Sequence, residues 1–141
     1  MEIRALTPDY AVSPQIAVSD LPAIKAAGFT TVINNRPDRE IPDTLNAQTM
    51  RHAAEALGLT FVDNQLIPGN ITADNIAVQS AAAAASKGPV FAYCASGNRC
   101  SQVWAMMNAG KHPTDDLIGI PARFGYQLEP LRDRIEMLAG K

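Results

Sequence analysis

Along this 141-residue chain the spacing of apolar positions changes repeatedly, and each change marks an element. Ile3 to Leu6 and Tyr10 to Ser13 are short β-favouring runs around the turn pair Pro8-Asp9, which predicts an opening hairpin. Ser19 stands at an expected helix N-cap, with Asp20 and Pro22 in the first turn and Gly28 closing the helix. Thr30 to Asn34 then predicts a buried strand. After a proline-containing loop over 35–43, Met50, Ala53, Ala54 and Leu57 recur at the spacing of one helix face, and Gly58 ends it. Leu59 to Val62 is the next strand. Thr72 caps a helix with Asp74 in its first turn, Gly88-Pro89 stops it, and Val90 to Tyr93 runs apolar into Cys94. Val103, Met106 and Met107 stripe a following helix, Thr114 with Asp115 and Asp116 opens a short one, and Leu128, Leu131, Ile135 and Leu138 stripe the last. Trp104 belongs with the core positions. Such alternation predicts one α/β domain over residues 1–141, with a mostly parallel central sheet flanked by helices on both faces.

Charge narrows the partners. Twelve Lys and Arg against fourteen Asp and Glu give a net charge of -2, so no basic field is available to hold nucleic acid. The start Met1-Glu2-Ile3-Arg4 carries no leader pattern, and no apolar run approaches the ~20 residues of a membrane span. A cytoplasmic protein without nucleic-acid or membrane partners is expected. Cys94 and Cys100 have no metal-ligand spacing, His52 and His112 have no partners and read as solvated, and neither a metal nor an organic cofactor is implied.

The chemistry concentrates in Tyr93-Cys94-Ala95-Ser96-Gly97-Asn98-Arg99-Cys100-Ser101, where an apolar strand ends and a helix begins. An open α/β sheet places its binding crevice at such an end. Loop amides, a helix N-terminus and a nearby guanidinium can pull a thiol from its usual ~8.5 to ~3.5–7.5. Gly97 lets the loop curl with its N–H groups inward, and Arg99 can meet two oxyanion oxygens at once. Cys94 is therefore the candidate nucleophile, with Arg99 and the loop residues Ala95, Ser96, Gly97, Asn98, Cys100 and Ser101 as the candidate oxyanion cradle.

Beyond that loop, the segments Leu6-Thr7-Pro8-Asp9, Val12-Ser13-Pro14-Gln15-Ile16, Gly28 through Asp38, Pro68-Gly69-Asn70-Ile71-Thr72 and Pro89 through Cys94 resemble the beta-lactamase hydrolase-like, or DUF442, phosphatase-like domain family. The resemblance covers roughly residues 2 to 110 and implies a protein tyrosine and dual-specificity phosphatase-like fold with a cysteinyl-phosphate intermediate on Cys94. Some members of that family are fused to a metallo-hydrolase-like persulfide dioxygenase, which implies sulfur handling instead. Three departures limit what carries over, and two of them, the loop length and Cys100, favour this rival. Four residues separate Cys94 from Arg99, as in rhodanese-type sulfurtransferases, where phosphatase loops have five. Tyr93 replaces the customary His and Ala95 a second Arg. Cys100 stands where a Ser or Thr hydroxyl is usual, leaving Ser101 as the hydroxyl expected to help the thiolate leave.

A phosphatase also uses a general acid some thirty residues upstream, and Asp63 lies 31 positions before Cys94; Asp74 is a weaker candidate. After a buried strand, Arg36 or Asp38 can line the substrate mouth, with local turn-making by Asn, Pro and Asp an equal account of that segment, and Phe124 and Tyr126 can cover the crevice. Expected partners are a phosphorylated or sulfane-sulfur small molecule or a phosphoprotein, with phosphate binding without catalysis as a third reading. Cys100 reads either as a small residue filling the first turn of the next helix or as a resolving thiol for Cys94.

Overall fold

In the computed structural model, which describes residues 1–140, five strands form one sheet: β1 (Arg4–Thr7), β2 (Tyr10–Ser13), β3 (Thr31–Asn34), β4 (Thr60–Asp63) and β5 (Val90–Tyr93). Their order is β1-β2-β5-β3-β4. Only the opening hairpin is antiparallel; β2, β5, β3 and β4 run parallel. The central strand β5 is therefore paired on both edges, and all four of its residues are buried.

Six α-helices cover the sheet: α1 (Leu21–Ala26), α2 (Ala47–Ala56), α3 (Ala73–Ala85), α4 (Asn98–Met107), α5 (Thr114–Ala122) and α6 (Arg132–Leu138). Alternate strand residues point to opposite faces, and this divides the core in two. Val32, Phe61, Phe91 and Tyr93 pack with Leu21 and Ile24 of α1 and with Met50 and Ala54 of α2. On the other face Val12, Ile33, Ala92 and Cys94 pack with Cys100, Val103 and Trp104 of α4, Leu117 of α5 and Ile135 of α6.

Local signals largely hold. Thr72 caps α3 by accepting from the Asn75 N–H at 3.1 Å, and Asp74 lies in the first turn. His52 and His112 are exposed, as expected. The Ser19 cap is corrected: residues 18–20 form a single 3₁₀ turn before α1, and it is Asp20 that reaches back, accepting from the Ala17 N–H at 2.8 Å. Gly28 follows α1 at φ 103°. Among the described residues no helix is long and apolar enough to cross a membrane.

One polar knot threads the apolar layer. Gln79 of α3 accepts from Asn35 and Asn64 at 2.8 Å each and donates to the Tyr10 hydroxyl at 2.8 Å and to Asn35 at 3.0 Å. All are buried, so the low local dielectric strengthens every bond and sharpens the cost of breaking one. The knot pins residues 35 and 64, which leave the carboxyl ends of β3 and β4 toward the site.

Candidate active site

Cys94 follows β5 directly, with its N–H on the Ser13 carbonyl at 3.3 Å. The chain then turns through Ala95, whose carbonyl accepts from the Gln15 N–H, and Ser96, whose hydroxyl accepts from the Asn98 N–H at 3.2 Å. Gly97, at φ 96°, caps α4. A Cβ there would lie 2.1 Å from the Tyr126 hydroxyl oxygen, so glycine is required by space as well as by backbone angle. The result is a curl that turns the Gly97 N–H onto the Cys94 sulfur at 3.1 Å.

Cys94 is pulled down to about 5, foremost by the Cys100 thiol, which donates to it, and then by backbone N–H groups of Cys100, Ser96 and Gly97 against the opposing effect of burial. The same pairing, with complete burial, pushes the Cys100 thiol well up. The balance of burial and proximity thus drives the two thiols in opposite directions. Cys100 takes the place expected of a hydroxyl, and the Ser101 expectation is corrected: its hydroxyl donates to the Gly97 carbonyl at 2.9 Å and braces the loop.

Arg99 is buried and fully committed at one end. Nη1 donates to Glu40 Oε2 at 2.8 Å and to the Leu66 carbonyl at 2.9 Å, and Nη2 donates to Glu40 Oε1 at 2.9 Å. Of the five guanidinium hydrogens, this leaves Nε–H and one on Nη2 without a partner among the described residues, parallel along the side of the fork. That free edge matches two oxygens of an oxyanion. Glu40, which the sequence did not single out, is held below its usual carboxylate range, foremost by Arg99. Arg36 joins this cluster, donating from Nε to Glu40 at 3.2 Å and lying 3.4 Å from Gln15.

Asp63 is not brought to Cys94. Its neighbour in register is Asn34, which is in turn opposite Tyr93, so two strand spacings of about 4.8 Å separate Asp63 from β5. Its side chain also lies on the α1–α2 face, the face of Phe61 and Tyr93, whereas Cys94 packs on the other. There it accepts from Asn34 at 3.0 Å and from Gln65 at 2.9 Å. Asp38 is likewise spent locally, accepting from the Ala47 N–H at 2.8 Å at the start of α2.

The rim opposite Arg99 is formed by Tyr126, whose hydroxyl donates to the Ser96 carbonyl at 2.7 Å while accepting from Arg4 Nη1 at 2.6 Å. Against it lies a shallow cavity of about 470 Å³ between Arg4, Ser96, Asn98, Phe124, Tyr126 and Gln127. Larger hollows lie on the outer face of α2 and beneath the amino ends of the strands, away from Cys94.

A cysteine-bearing loop between a central parallel strand and a helix, on an α/β sheet covered on both faces, gives the chain the α/β fold of the phosphatase-like proteins. A structure from Neisseria meningitidis Z2491, described as a proposed phosphatase, is similar at 29% identity and a TM-score of 0.84, over 98% of this chain and 99% of that one. A DUF442 protein from Shewanella putrefaciens CN-32 shares the fold, with 15% identity, a TM-score of 0.74 and 98% and 90% coverage. The chain belongs to the beta-lactamase hydrolase-like protein, phosphatase-like domain family, whose profile matches residues 2–111. The beta-lactamase hydrolase-like protein of Agrobacterium fabrum strain C58 is 29% identical over 119 residues, 83% of this chain and 28% of that protein. The chain thus spans less than a third of the length of the curated relatives it matches.

Proposed function

We propose that the chain hydrolyses phosphate monoesters through a cysteinyl-phosphate on Cys94. The observation that carries this reading is a Cys94 sulfur that accepts from the Gly97 N–H at 3.1 Å, in a loop that leads into a braced guanidinium with one side left without a partner among the described residues. The Cys94 sulfur lone pair forms the S–P bond as the P–O bond to the leaving group breaks. With Asp63 on the other side of the sheet, the leaving oxygen takes its proton from water. Substrates with acidic leaving groups, aryl phosphates foremost, are therefore favoured. Water then attacks phosphorus, the S–P bond breaks, and inorganic phosphate leaves. The Cys100 thiol, which favours the Cys94 anion, stabilises the departing thiolate.

One observation favours a second reading, sulfur transfer: the four-residue Cys94-to-Arg99 spacing with a second thiol beside the first. The thiolate would attack the outer sulfur of thiosulfate, forming a persulfide and releasing sulfite. Two parallel assays separate the readings: release of an aryl alcohol from an aryl phosphate, and thiocyanate formation from thiosulfate and cyanide. Phosphate hydrolysis is expected to be the faster, and Cys94→Ser to reduce it on the order of a thousandfold or more. Thiocyanate formation that is faster by orders of magnitude, beside phosphate release no greater than that of Cys94→Ser, establishes the second reading in place of the first.

A further inference from the structure

The Ser96–Gly97 peptide is gripped at both ends. Its N–H donates to the Cys94 sulfur at 3.1 Å, and its carbonyl accepts from the Tyr126 hydroxyl at 2.7 Å. Tyr126 in turn accepts from Arg4 at 2.6 Å, and the Arg4 guanidinium lies 5.6 Å from the Tyr126 ring centroid. A planar trans peptide points its carbonyl and N–H in opposite directions, so fixing one fixes the other. We propose that Arg4 and Tyr126 are positioning residues for the Cys94 thiolate, turning and polarising the Ser96–Gly97 peptide so that its N–H is aimed at the sulfur.

The chain Arg4, Tyr126, Ser96 carbonyl, Gly97 N–H, Cys94 runs from a cation to an anion, and every donor in it points the same way. Hydrogen bonds in series strengthen one another. The contact is not incidental to packing, because the hydroxyl sits against the Gly97 Cα where any Cβ would collide with it. Burial outweighs Arg4 and raises the Tyr126 pKa, which keeps the phenol a donor. The next peptide is held separately by Ser101. Cys94 is also faced by Cys100 and Arg99 from α4, and Tyr10 on β2 and Tyr126 lie in the field of the two cysteines. Arg4 is faced by Glu2. Substituting Arg4 or Tyr126 leaves Cys100, Arg99 and Glu40 in place, so any change in the thiolate reports the chain itself.

The inference rests on the thiolate reading, and its test requires no turnover. Ultraviolet thiolate absorbance is titrated in the full chain against a Cys94→Ser reference, for wild type, Tyr126→Phe, Arg4→Met and Arg4→Lys, with thermal melting in parallel. Tyr126→Phe is expected to raise the Cys94 midpoint by about one pH unit and Arg4→Met by about half as much, with Arg4→Lys restoring part of the loss. Aryl phosphate KM should change by less than about twofold, since the Arg99 edge is intact, while kcat falls at acid pH and recovers at alkaline pH. An unchanged midpoint in both Tyr126→Phe and Arg4→Met overturns the proposal, and a lowered melting temperature alone does not rescue it. Should Tyr126→Phe fail to fold, Arg4→Met, on an edge strand, decides. Midpoint shifts without phosphate turnover in the wild type keep this inference and remove the phosphatase reading; turnover with unmoved midpoints does the reverse.

Discussion

Tyr93 and Cys94 are adjacent, and both are inaccessible to solvent. The Cys94 sulfur collects donors, whereas the Tyr93 hydroxyl has no hydrogen-bond partner among the described residues. Burial raises the Tyr93 pKa, so the group remains a neutral phenol. An unpartnered buried hydroxyl costs about 1–3 kcal/mol. Tyr93→Phe keeps the ring in its cluster and removes that cost, so a gain of about 1 kcal/mol, read as a few degrees in Tm, is expected. A melting point several degrees lower would refute it. The place of Cys94 at a strand-to-helix loop was legible because strand, loop, glycine, arginine and helix fall within one short run. Glu40 and Tyr126 were not legible as working residues, because their partners Arg99 and Ser96 lie 59 and 30 residues away and only the tertiary fold joins them. Tyr126 was expected merely as a cover over the crevice.

At the scale of elements, the short 3₁₀ turn over 38–40 presents Glu40 to Arg99, and α2 begins on the Asp38 carboxylate of the same turn. A loop segment thereby becomes a brace for the Arg99 guanidinium. Glu40→Gln retains size but halves the fork's acceptor quality, so KM for an aryl phosphate should rise about tenfold with the melting temperature nearly unchanged. An unaltered KM would show that Arg99 needs no brace. Strand positions were legible to within a residue because periodicity and turn residues are local signals. Their exact ends were not, since Arg4–Thr7 and Thr60–Asp63 are set by pairing register with β2 and β3. Asp63 illustrates the limit. Its distance along the chain suited a general acid, but the alternation that carries Phe61 into the α1–α2 core also carries Asp63 to that side.

Over the whole molecule, the depressed Cys94 pKa couples the site to folding. The folded chain holds a thiolate from about 5 upward, whereas the unfolded chain holds one only near ~8.5. Between those values the unfolded state binds more protons, so this contribution grows as pH rises, is complete above the unfolded value and is gone below the folded one. Denaturant unfolding of wild type and Cys94→Ser at several pH values from 5 to 8.5 should therefore give stabilities that separate in favour of the wild type as pH rises. A constant difference would contradict the bound thiolate.

The division of the core by the sheet reaches further than packing. Both cysteines and the rim tyrosine share one compartment, and the orphaned phenol, Asp63 and the α1–α2 layer share the other. Amino-acid changes on one side have few neighbours in common with those on the other, and changes without shared partners combine additively. A protein engineer can therefore repack the apolar α1–α2 layer without repacking the sulfur compartment, provided the turn over 38–40, which both starts α2 and meets Arg99, is left in place.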